Sequence, residues 1–353
     1  MNEHDDVAGG VICFAGVDWW YHNRGHSECQ VMTRLARDHP VLWVNSIGLR
    51  MPTPGGTDRV VHRLLSKLRS LVRGLRRDES GMWVLSPLFI PRYTPRVLAI
   101  NGWLLRAQVA VARRVAGIRT PAAWVTIPSA VPALTGPGWH QVVANRCDDY
   151  AAFPEVDQEL VGRLQDEMLD ASVVAIYVNH ELQRAESSRA RESVFVGHGV
   201  DIAHFSPPFA DEPERLRDLP RPILGFYGAL DDWRFDIDLF VAVARAHPEA
   251  TVVVCGPQAM DLSPLEAVPN IVYLGAIPYD ELPAYASRFD VGLMPYLRNE
   301  FVEACNPIKL KEYLALGFPV ASIDFPELAP YADVVHTATD EPTFLAAVDA
   351  ALA

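Results

Sequence analysis

The feature that most constrains this chain is the recurrence of short apolar runs separated by segments of helical pattern. One set lies at 11–15, 41–45, 82–85, 123–127, 141–145 and 172–178, and closes with 194–196. A second set lies at 223–227, 251–255, 271–274, 290–294 and 319–323, with helical segments such as 239–246 and 279–287 between its members and a last helical pattern at 342–352. Runs this short read as strands, and strands alternating with helices predict parallel sheets with helical crossovers. Proline, glycine and charge dominate 197–222, between the two sets. At 353 residues the chain also exceeds what one core usually organises. The expected fold is therefore α/β, with two Rossmann-like domains facing across a cleft, over residues 1–205 and 206–353.

A net charge of -13 argues against nucleic acid as a general partner, because tracking phosphates needs a basic surface. Cys13, Cys29, Cys147, Cys255 and Cys305 are scattered and include no Cys-x-x-Cys pair, which fits a reducing cytoplasm. Residues 1–6 lack the basic and apolar regions of a signal peptide, and no uncharged run reaches the ~18 residues of a membrane span. The stretch 59–77 stands apart. Val61, Leu64, Leu65, Leu68, Leu71, Val72 and Leu75 fall at helical spacing, and Arg59, Arg63, Lys67, Arg69, Arg73, Arg76 and Arg77 supply charge. Two readings stand open: a helix making peripheral contact with the anionic inner face of a membrane, or one that packs its apolar stripe on its own domain.

No Gly-x-Gly-x-x-Gly, Walker loop, Gly-x-Ser-x-Gly or His-Glu-x-x-His run is present, so dehydrogenase, nucleotide hydrolase, serine hydrolase and zinc protease lose their main support. The densest chemistry lies at 306–322, NPIKLKEYLALGFPVAS. Asn306 suits a helix N-cap, Pro307 the first helical position and Gly317 the stop before a strand. Such a helix start offers free N–H groups and a positive dipole to a phosphate, and Lys309 in its first turn adds a full charge. Glu312, one turn on, can accept hydrogen bonds from ribose hydroxyls. Upstream, the 223–227 strand ends at Gly228, where bare backbone lets a ligand approach, and Arg234 can reach a diphosphate with its fork. Asp236-Ile237-Asp238 has the Asp-x-Asp form of metal-dependent transferases, but Asp236 reads better as a helix cap, so no metal is assigned.

Pro307, Lys309, Glu312, Tyr313, Ala315, Gly317, Pro319 and Val320 resemble the donor-site run of retaining GT-B glycosyltransferases, the family-4-like group 1 enzymes. The resemblance implies transfer of a sugar from a nucleoside diphosphate sugar as co-substrate, with no cofactor or metal and with retention at the anomeric carbon. It implies Arg234 and Lys309 as catalytic cations, and Gly228, Asn306, Pro307 and Glu312 as contacts to the donor nucleotide. One departure is that a glutamate common eight positions before Glu312 is here Ala304, with Glu300 and Glu303 out of register; backbone groups at 304–306 can replace it. In the first half, Arg24, His26, Asp148 and Asp149 lie at strand ends similar to those of GT-B enzymes of polysaccharide and teichuronic-acid synthesis, and are candidates for the sugar or acceptor. Gly197-His198-Gly199-Val200-Asp201 with His204-Phe205 resembles the family's interdomain linker, with Phe205 as an anchor. The acceptor stays open among a sugar, a lipid-linked group and a natural product. A catalytically inactive sugar-nucleotide-binding module and a nucleotide-sugar epimerase remain the alternatives. The sequence also stops at Ala353, before the segments with which related enzymes cross back to the first domain.

Overall fold

The computed structural model describes residues 9–21, 24–48, 73–136, 138–153, 156–209 and 213–353. The chain divides into two compact units, Met1–Gly197 and His198–Ala353. Each is built on one sheet. In the first unit the strands are β1 (Val11–Phe14), β2 (Val41–Val44), β3 (Leu75–Arg77), β4 (Trp83–Leu85), β5 (Ala122–Val125), β6 (Gln141–Arg146), β7 (Val174–Tyr177) and β8 (Ser193–Phe195). Their order across the sheet is β3-β4-β2-β1-β5-β6-β7-β8, parallel throughout except for the antiparallel pair β3–β4.

The second unit carries β9 (Ile223–Tyr227), β10 (Thr251–Cys255), β11 (Ile271–Gly275), β12 (Val291–Met294), β13 (Val320–Ile323) and β14 (Val335–Ala338), all parallel, in the order β11-β10-β9-β12-β13-β14. Every residue of β9, β10, β12 and β13 is buried. Such continuous apolar runs are what a parallel sheet covered by helices on both faces requires. In this doubly wound order the chain starts at β9, fills one side, then returns to fill the other. Ligands of such sheets bind outside the carboxyl ends of the strands where the order reverses, here β9 and β12.

Three points differ from the sequence reading. The units divide at 197/198, eight residues before the expected boundary, because the intervening segment packs within the second unit: Phe205 is fully buried, the His204 ring stacks on Tyr279, and His204 Nε2 bonds the Tyr279 carbonyl at 3.0 Å. Phe205 thus anchors this segment, edge-on to Tyr279. Of the basic helix expected over 59–77, residues 59–72 lie outside the described residues, Arg73 is helical, and the last three residues are not. Leu75, Arg76 and Arg77 form β3 against Leu85, Val84 and Trp83, and the Arg77 guanidinium lies 5.1 Å from the Trp83 ring centre. The third difference is β14, an edge strand that no apolar run announces. Among the described residues no helix is long and apolar enough to cross a membrane.

Candidate functional site

At the reversal point of the second sheet, β9 ends at Tyr227 and hands over to Gly228, whose φ of 152° lies in the region that side chains rarely adopt. A Cβ added there would stand 2.4 Å from Lys309 Nζ. The lysine therefore occupies the space that Gly228 leaves bare. Gly256, at the end of β10, is forced in the same way: its φ is 150°, and a Cβ would meet the Gly228 carbonyl oxygen at 1.7 Å.

Lys309 sits in the first turn of the helix Ile308–Leu316. Its ammonium lies 4.3 Å from the ring centre of Phe226 and 5.1 Å from that of Tyr296. Desolvation among these rings pushes its pKa down to about 7, and the Arg234 charge adds to the effect. Glu312, one turn on, is buried and accepts the Tyr227 hydroxyl on Oε2 at 2.8 Å. Burial raises its pKa to about 7, against the opposing pull of Tyr227 and Lys309. Tyr313 packs edge-on to Tyr227, and its hydroxyl accepts the Tyr227 N–H at 3.2 Å, so two adjacent helix residues tie the helix to the strand end.

The helix start differs from the expectation. Pro307, extended at φ −73° and ψ 123°, is the N-cap, not the first helical residue. The Asn306 carboxamide is used elsewhere: Nδ2 donates to Glu327 at 3.2 Å and Oδ1 accepts from Lys311 at 2.5 Å. A proline at the cap position offers the first N–H groups of the helix no side-chain acceptor. Gly317, at φ 83°, ends the helix as read from sequence. Ala304 follows the short helix Glu300–Glu303, which Asn299 caps.

Arg234 stands on the loop after Gly228. Asp231, three residues before it, accepts both from the Arg234 backbone N–H, at 3.0 Å, and from its guanidinium, Nε at 2.9 Å with Nη2 on the same oxygen. The guanidinium stacks 4.4 Å from the Trp233 ring centre. Burial would weaken its charge, and the Asp231 carboxylate more than offsets this, so the pKa lies above its ordinary value. The loop is sewn to the segment after β12: Leu297 N–H donates to the Arg234 carbonyl at 2.8 Å, Asp236 N–H to Pro295 at 2.9 Å, and Asn299 Nδ2 to Trp233 at 2.7 Å. Asp236 caps the helix Ile237–Ala246 through Leu239 N–H at 2.9 Å, as its sequence position suggests. Gly228, Arg234, Lys309 and Glu312 are thus brought to one place, with Asp231, Tyr227 and Tyr296 as members that sequence reasoning did not name. Of these, only Asp231 had a local signal, its spacing of three from Arg234.

The first unit has its own reversal point, at β1 and β5. Arg24 stacks 5.1 Å from the Trp19 ring centre, and its carbonyl accepts from Gln30. His26 precedes the helix Ser27–Leu35 without a capping bond from its side chain. Asp149 spends its carboxylate internally, accepting Ala151 N–H and Gln165 Nε2, each at 3.1 Å. The turn carrying Asp148 is held from below by Arg146, fully buried, which donates to the Asp148 carbonyl at 3.0 Å and forks onto Glu186 at 2.8 and 2.5 Å. The residue that sequence reasoning missed here is Glu28. It is buried, both its oxygens lie within 3.1 and 3.2 Å of the Gly16 N–H, and burial pushes its pKa up to about 7.

Comparison with known proteins fits this geometry. The family model described as glycosyl transferases group 1 matches residues 221–353. The putative teichuronic acid biosynthesis glycosyltransferase TuaH of Bacillus subtilis is 26% identical over 222 residues, 58% of this chain and 55% of that protein. The 2-deoxystreptamine glucosyltransferase of Streptomyces kanamyceticus is 29% identical over 134 residues, 35% of this chain and 33% of its own. The chain thus spans about half the length of the first relative and a third of the second. Among solved structures, sucrose-phosphate synthase from Thermosynechococcus elongatus superposes with a TM-score of 0.69 at 14% identity, covering 97% of this chain and 90% of its own. HepE of Anabaena in complex with UDP-glucose gives 0.64 at 13%, covering 96% and 88%. At such identities the likeness shows the fold.

Proposed function

We propose that this chain, a GT-B protein whose residues 221–353 form a group 1 glycosyltransferase domain, transfers a hexosyl or related sugar from a nucleoside diphosphate sugar to an acceptor. The observation that carries this reading is Lys309 laid against bare Gly228 at the reversal point, on the first turn of a helix with no side-chain cap. A diphosphate set there meets Lys309, the Arg234 fork and the helix N–H groups together, which neutralise the departing charge in place of a metal. Arg234 and Lys309 are the catalytic cations of this reading. Gly228 admits the phosphates, Pro307 starts the helix extended, and Asn306 braces it through Lys311 and Glu327. Glu312, with Oε2 held by Tyr227, presents Oε1 to the ribose hydroxyls. Arg24, His26 and Asp148 of the first unit contact sugar or acceptor, while Asp149 shapes the turn. Transfer proceeds with retention at the anomeric carbon.

The supporting experiment is calorimetry with nucleoside diphosphates, starting from UDP because HepE has been solved with UDP and with UDP-glucose. Lys309→Ala and Glu312→Ala each weaken binding roughly ten- to a hundredfold, the loss expected for hydrogen bonds to charged groups, with the fold intact. Wild-type affinity in both would place the donor elsewhere. An NMR spectrum of the first-formed product with the anomeric configuration inverted would remove retention.

A further inference from the structure

The helix Pro95–Val115 carries an apolar stripe on the face turned away from its core. Inward it packs Leu98, Leu105, Val109 and Ala112, and Gly102 lets it rest on Pro132. Outward, where a surface helix normally carries charge, Ile100, Trp103, Ala107 and Val111 follow at spacings of three and four, with Trp103 62% and Val111 61% exposed. Arg96 and Arg114 continue the stripe at either end, and the helix contains no acidic residue. The loop before the helix widens the patch. Leu88, 60% exposed, is fixed by Gln108, which donates to its carbonyl at 2.9 Å and accepts its N–H at 2.7 Å, and Asn101 holds Ile90 in the same way at 2.8 Å.

We propose that this face docks on an anionic lipid surface. A contiguous exposed apolar patch marks an interaction site rather than scattered surface hydrophobes. Its composition selects the partner: an indole at mid-helix and arginines at the ends suit the boundary between headgroups and acyl chains, where the ring is half wet and guanidinium groups reach phosphates. Among the described residues Arg92, Arg96, Arg106, Arg113 and Arg114 form no ion pair with any carboxylate; Arg106 and Arg113 bond only the carbonyls of Thr135 and Gly138. The patch therefore keeps its positive charge within a chain of net charge -13. A protein partner would more naturally meet an apolar core ringed by both signs of charge. The inference uses no residue of 59–72 and does not depend on the sugar chemistry.

The test is flotation of the whole protein with vesicles of phosphatidylcholine alone and of phosphatidylcholine mixed with phosphatidylglycerol, at low and high salt. The protein floats with the anionic vesicles at low salt and stays down with the neutral ones. Arg96→Gln with Arg114→Gln lowers the partition coefficient roughly twenty-five-fold, at about fivefold per arginine near an anionic surface. Trp103→Glu abolishes flotation with thermal unfolding unchanged, since the side chain is mostly exposed. A protein that ignores both vesicles, or a Trp103→Glu variant that floats like the wild type, overturns the proposal. So does a lipid-free dimer that Trp103→Glu dissolves, which would make the face a protein interface.

Discussion

Lys309 and Glu312 hold pKa values near 7 for opposite reasons, and a bound nucleoside diphosphate moves them in opposite directions. At pH 7 each is about half protonated before binding. A diphosphate charge about 4 Å from Lys309, at an effective dielectric of about 20, favours the ammonium by about 4 kcal/mol, which lifts its pKa by about three units. Lys309 then takes up about half a proton at pH 7 and about nine-tenths at pH 8. Ribose hydroxyls donating to Glu312 favour its carboxylate, and it releases up to about half a proton at pH 7. In the wild type the two cancel near pH 7, so the variant is the informative protein. Glu312→Gln removes the release and leaves the uptake. UDP titrations in buffers of different ionisation enthalpy read the protons directly as the slope of the observed enthalpy. Glu312→Gln should give a slope near one half at pH 7, rising at pH 8, with affinity falling about tenfold per pH unit above 7 as the charging of Lys309 must be supplied by binding. A slope of zero at both pH values, with saturable binding intact, would refute the placement of a phosphate against Lys309.

Gly228→Ala forces a side chain onto Lys309 in a backbone region costing about 1–3 kcal/mol, so UDP binding should be lost together with a lowered melting temperature; unchanged affinity would show that the bare backbone is not used. Asp231→Asn frees the Arg234 fork from its charged partner, and kcat should fall more than KM rises; equal changes would indicate that Asp231 only braces the loop. Because the folded-state pKa of Glu28 is raised from 4.5 to about 7, the native protein binds the proton more tightly, a stabilisation present below about 4.5 and lost as pH rises through about 7. Glu28→Gln should therefore gain about 2–3 kcal/mol relative to the wild type between pH 5 and pH 8 in denaturant titrations, and a constant difference would contradict the buried carboxyl.

The parallel strands were legible because they are buried on both faces. Ile223–Tyr227 and Thr251–Cys255 are continuous apolar runs bounded by turn residues, and the sequence places them residue for residue. Val335–Ala338 escaped because it is an edge strand with half-exposed His336 and exposed Thr337, and Leu75–Arg77 because three residues with two arginines become a strand only by pairing with Trp83–Leu85. The same division runs through the site. Lys309 and Glu312 follow from spacing along one helix, the Asp236 cap from its place at the start of another, and Gly228 from its place after a strand. The Tyr227 to Glu312 bond joins residues 85 apart, and no local pattern announces it. Asn306 was misread for a related reason: its fitness as a cap is local, whereas Glu327, which takes its amide instead, comes from beyond the next strand.

Leaving aside the antiparallel edge strand β3 and the outermost β8, the two sheets run in the same order, yet the electrostatics at their reversal points are opposite. In the second unit the helix Ile308–Leu316 brings Lys309 against the bare backbone of Gly228, and the loop after β9 brings the Arg234 charge near Lys309. In the first unit the helix after β1 brings Glu28, whose carboxyl already occupies the Gly16 N–H at the end of that strand, and Asp148 lies near enough to raise its pKa further. An anion arriving there would have to displace a carboxyl from the Gly16 and Val17 N–H groups, while adding its charge to two acidic groups. A ligand that brings hydroxyl donors meets no such obstacle, since a carboxyl poised near neutrality can accept from them in its ionised form. The same topology therefore carries opposite charge at its two reversal points. On the proposed reaction the diphosphate belongs to the second reversal point, and the first suits an acceptor that presents hydroxyl groups there.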